Sequence, residues 1–71
     1  MNHVDFELTG ADSAEVAGLL KIPKLEDGVW GWRGILEQGA QLRELRVRQL
    51  RAELGYDVVV AVRPASGSSP V

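Results

Sequence analysis

A chain of 71 residues with no cysteine has to hold a thin core together by apolar packing alone. A domain this short buries only about 60% of the surface its unfolded chain exposes. Disulfides, thiolate metal sites and cysteine nucleophiles are all excluded. Hydrophobic residues at 45% and charged residues at 25% are ordinary for a globular domain and unlike a disordered segment. The length allows one domain, expected over residues 1–64. The Ser/Gly/Pro-rich stretch 65–71 is expected to be a flexible tail.

The periodicities alternate between strand and helix. Residues 4–8, Val-Asp-Phe-Glu-Leu, alternate apolar and charged, which is the period-2 mark of a half-buried strand. Asp12 and Glu15 stand at the spacing of a capping box, so a helix is expected over residues 13–21. Val16, Leu19 and Leu20 would share its buried face, and Pro23 would stop it. Residues 24–28 read as a polar turn. Residues 29–36 read as a strand carrying Trp30, Trp32 and Leu36 on one side and Val29, Arg33 and Ile35 on the other. A loop with a helical turn near Gly34 is the alternative.

Residues 41–54 are rich in helix formers, and Gly55 sits where a C-cap glycine belongs. Residues 56–63 are apolar at successive positions and β-branched, which predicts a central strand. The expected fold is therefore α+β: a small β-α-β-α-β domain with an about three-stranded sheet and two helices packed on one face. The second crossover would be a βαβ unit. The uncovered sheet face would show Asp5 and Glu7 beside Val59 and Ala61.

The long helix carries two apolar stripes. Leu42, Leu45 and Ala52 form one; Val47, Leu50 and Leu54 form the other, about a third of a turn or more away. One stripe suffices for a helix lying on its own sheet. The second predicts another contact, either with the short helix or with a second subunit. Self-association, and a homodimer in particular, is expected because it compensates for a small core.

Net charge is −2, unevenly spread. Residues 1–28 hold six acids against two lysines; residues 29–71 hold six arginines against four acids. Arg43, Arg46, Arg48 and Arg51 spread around half the long helix rather than along one line, and Glu44 can pair with Arg48. Abundant arginine, alanine and glycine point to a GC-rich genome, bacterial or phage. No basic leader opens the sequence and no apolar run reaches the roughly 18 residues of a membrane span, so a cytoplasmic location without membrane contact is expected.

No constellation for catalysis emerges, so an enzyme is not expected. His3 is the single histidine, and zinc wants three or four ligands. The glycines at 28, 31 and 34 match neither phosphate-cradling pattern. No metal or other cofactor is expected. The candidate binding residues are Trp30, Trp32, Arg33, Arg43, Arg46 and Arg51, since tryptophan and arginine dominate protein hot spots. The expected function is a small protein-interaction module that binds or occludes a partner protein, as an inhibitor, antitoxin, adaptor or accessory subunit does. The alternative is a nucleic-acid-binding module that uses the arginine-rich long helix and stacks bases on Trp30 and Trp32.

Overall fold

The structure, a computed structural model, describes residues 3–35 and 39–64. The elements are β1 (His3–Thr9), α1 (Ser13–Leu20), β2 (Lys24–Glu26), β3 (Val29–Ile35), α2 (Leu42–Leu54) and β4 (Val59–Pro64). The fold is α+β, with four antiparallel-paired strands in the order β2-β3-β1-β4. Leu36 and the tail 65–71 lie outside the described residues.

Local chemistry explains most of these bounds. α1 ends in a left-handed Lys21 (φ 58°), whose N–H bonds back to the Ala17 carbonyl. α2 ends at Gly55 (φ 74°), whose N–H bonds to Arg51, as the glycine's position predicts. The expected polar turn at 24–28 is instead a short hairpin. Lys24 and Glu26 pair with β3, and only Asp27 and Gly28 turn the chain, with Gly28 at φ 79°. That adds the fourth strand to the three expected.

Two further expectations change. The 56–63 run is an edge strand, not a central one: β4 begins at Val59 and, among the described residues, pairs with β1 alone. β1 holds the central position, between β3 and β4. β3 and β4 run parallel through α2 with β1 inserted between them, so the βαβ unit is split. The capping box also does not form. The Asp12 side chain makes no cap hydrogen bond to α1. It accepts the N–H of Asp57 at 2.7 Å instead, while the Asp12 N–H donates to the Asp57 carbonyl at 3.1 Å. A long-range clamp has displaced the local cap.

The register sorts the side chains by face. Phe6 and Leu8 point to the helices, with Trp32 and Trp30 opposite them on β3 and Val62 and Val60 opposite them on β4. Leu8, Val16, Ala17, Ile22, Val47 and Val58 form the buried cluster; Trp30, Trp32, Leu50 and Val60 pack around it. Both helices thus cover one sheet face, as expected.

Tyr56, the single tyrosine, ties the approach to β4 to α1. Its hydroxyl donates to Glu15 at 2.6 Å, and that bond, followed by burial and the charges of Glu15 and Asp12, pushes the phenol pKa up. A raised folded-state pKa means this bond stabilises the fold fully below the unfolded value of about 10 and is lost as pH rises through the folded value. Tyrosinate absorbance should therefore titrate with a midpoint above about 10, and Glu15→Gln should bring it back down. An unchanged midpoint in that variant would show that the bond does not persist in solution.

Candidate functional site

The six candidate residues do not converge on one site: Trp32, Arg33 and Arg43 border a hollow of about 220 Å³ together with Leu42, while Trp30, Arg46 and Arg51 lie outside it. Trp30 and Trp32 are on the helix-covered face and half-buried. Trp32 stacks on Phe6 across the strand pair, with ring centroids 4.8 Å apart and planes 4° from parallel. Its indole N–H donates to the Ala40 carbonyl at 3.2 Å. Arg33 follows Trp32 in a strand and so projects from the opposite face. The guanidinium that does lie over Trp32 is Arg43 from α2, 5.9 Å from the ring centroid. Arg46 donates to Gln49 on its own helix. Arg51 lines a cleft between α2 and β4. Arg48, expected to pair with Glu44, does so at 2.9 Å.

The sheet face away from the helices is charged across its strands. Arg33 binds Asp5 through two bonds, Nε to Oδ1 at 2.7 Å and a terminal nitrogen to Oδ2 at 3.2 Å. The hydrogen bond and the charge of Asp5 push the Arg33 pKa up. Arg63 from β4 reaches Glu7 at 3.1 Å. Acids on the central strand are thus clasped by arginines from both neighbours. Beside them lies an open groove of about 550 Å³, lined by Asp5, Glu7, Pro23, Leu25, Gly31 and Arg33. Gly31 shapes it: a Cβ there would stand 2.4 Å from the Phe6 carbonyl oxygen and 2.8 Å from Leu25. Sequence reasoning placed Asp5 and Glu7 on this face but missed Leu25, because a turn was expected there.

α2 presents the other notable surface. Val47 is buried and Leu50 packs on the core, so their stripe docks on the sheet, although Leu54 at its end is exposed. The second stripe is uncovered. Leu42 is 62% exposed and Leu45 55%, and Ala52 is exposed as well. α1 therefore does not cover this stripe, and Leu19, expected on the buried face of α1, is instead 58% exposed. Among the described residues, no group of three or more histidines or acids could hold a metal ion, and no helix is long and apolar enough to cross a membrane.

Fold and surfaces together define a small two-layer α+β domain of the split-βαβ type, with one charged open sheet face and one apolar helix flank. No family model matches this chain, and no curated protein or solved structure matches it.

Proposed function

We propose that the chain is a small, non-enzymatic protein-interaction module that binds or occludes a partner protein, and that it self-associates. The observation that carries the partner binding is the outward stripe of α2. Leu42 and Leu45 stand one turn apart and exposed, on a helix whose other stripe already serves the core. Burying a leucine side chain is worth about 1.5–3 kcal/mol, so a partner covering both gains a substantial part of a binding energy. Arg43 and Arg46 flank the stripe and suit an acidic rim on that partner, since arginine makes bidentate bonds to carboxylates. Both indoles pack against the core on the helix-covered face, which counts against base stacking.

The test is a binding assay against the partner recovered from the native host, at two salt concentrations. Leu45→Glu should weaken binding at least about a hundredfold, near 3 kcal/mol. In an alanine scan of Arg33, Arg43, Arg46, Arg48 and Arg51, one or two positions should dominate. Equal losses at all five with a steep salt slope would be the signature of phosphate neutralisation and favour the nucleic-acid reading. If neither Leu45 nor any arginine matters, the interface lies on the open sheet face around Asp5, Glu7 and Val59.

A further inference from the structure

We propose that two copies of this chain join edge to edge through β4, antiparallel about a two-fold axis at Ala61, so that their sheets continue as one. The inference rests on the self-association in the reading above and seats it on the sheet edge, leaving the α2 stripe to the partner protein.

β4 is the outermost strand, paired to β1 on one side and to no described strand on the other. Sheet edges are ordinarily blunted by lysine, by proline, by a bulge, or by a charge within the strand. β4 has none of these through Val59, Val60, Ala61 and Val62. Its six residues pair with β1 in unbroken register, and its first charge, Arg63, comes at the end.

Pro64 reveals which backbone groups are free. It has no N–H, yet it pairs with Val4, so its nitrogen occupies a position that faces away from β1. Backbone direction alternates along a strand, so the N–H and C=O of Val62 and Val60 also face outward. With the axis at Ala61, Val60 meets the partner's Val62, and Val62 meets the partner's Val60. Each pair exchanges two main-chain hydrogen bonds. Moving the axis to Val62 would set Val60 against the partner's Pro64, which has no N–H to give.

The side chains fit the same register. Val60 and Val62 lie on the helix-bearing face, and Val62 is 46% exposed. Beside Val60 is a cleft of about 70 Å³, lined by Val47, Val58, Val59 and Val60 together with Arg48 and Arg51. The two-fold brings the partner's Val62 to this cleft, and symmetry repeats the contact. On the open face Val59, 53% exposed, gains the aliphatic stem of the partner's Arg63. The two Arg63 side chains stand four strand steps apart, about 13 Å, beyond the screening length of about 8 Å at physiological salt. Each keeps its own Glu7.

The chain has no cysteine, so a single introduced thiol reports the register directly. About this axis Ala61 faces the partner's Ala61 in a non-hydrogen-bonded pair, with Cα atoms about 4.5 Å apart, within disulfide range. Ala61→Cys should cross-link to a dimer under mild oxidation, and Leu45→Cys should not. In sedimentation over a micromolar to millimolar series, Val62→Lys should raise the dimer dissociation constant at least about tenfold. Val62→Pro should act alike, because it deletes an outward N–H and takes none from β1. Circular dichroism of each variant checks that the monomer stays folded. Leu45→Glu should leave the dimer intact.

A dimer lost in Leu45→Glu and untouched by Val62→Lys would place the contact on α2 and overturn the proposal. So would a dimer in which Ala61→Cys fails to cross-link. A wild-type chain that stays monomeric throughout the series would also overturn it, while leaving the Leu42–Leu45 surface free for a different protein.

Discussion

Leu8→Ala should lower the unfolding free energy by about 2–5 kcal/mol, and at the upper end of that range leave much of the protein unfolded at room temperature. Leu8 has no accessible surface and sits on the central strand, across from Trp30 on one side and Val60 on the other. It belongs to the buried cluster that also holds Val16, Ala17, Ile22, Val47 and Val58. A domain of this length has a net stability of about 5 kcal/mol, so one cavity of this kind consumes much of it. Urea denaturation followed by tryptophan fluorescence measures the loss. A change under about 1 kcal/mol would mean that α2 collapses freely onto the sheet.

Gly10→Ala should be nearly as damaging, by about 3 kcal/mol or more, for a reason of geometry rather than of burial. Gly10 has φ 120°, a conformation that side chains rarely tolerate. A Cβ there would lie 2.4 Å from the Asp57 carbonyl oxygen and 2.9 Å from the Val58 Cα, both backbone atoms that cannot swing aside. Relief would require separating the turn after β1 from residues 57 and 58, which breaks the two Asp12–Asp57 hydrogen bonds. Gly18→Ala is the control. It sits inside α1 with nothing within 4 Å of its Cβ position, and should stabilise by about 0.5–1 kcal/mol. Equal effects in the two variants would show that the close approach at Gly10 is absent in solution.

The readable parts of this fold were those decided by neighbours along the chain. The alternation at residues 4–8 set which side chains of β1 are buried, since a strand has no other way to present Phe6 and Leu8 together. The same alternation separated Arg33 from Trp32. Gly55 marked the end of α2 because a left-handed residue suits glycine. The angular gap between the Leu42–Leu45 stripe and the Val47–Leu50 stripe was visible in the spacing alone. In the structure the first of these stripes is left uncovered, with Leu42 and Leu45 exposed.

What the tertiary structure decided were choices between partners of similar local merit. Asp12 could cap α1 or accept the Asp57 amide; only the folded chain brings Asp57 within 2.7 Å, and that bond won. Residues 24–26 carry too little pattern to declare a strand, and pair only because β3 offers an open edge. The apolar run 56–63 looked central because its side chains are apolar at successive positions. Position in a sheet, though, depends on which strands compete for the same edge, and β1 was taken between β3 and β4. The sequence by itself determined β1, β3 and the two helices, the buried face of β1 and the surplus apolar stripe, all of which follow from periodicity within a dozen residues. Strand order, the exposed edge of β4 and the pairing of Asp5 with Arg33 across 28 residues came from contacts between segments distant in the chain, which no local pattern encodes.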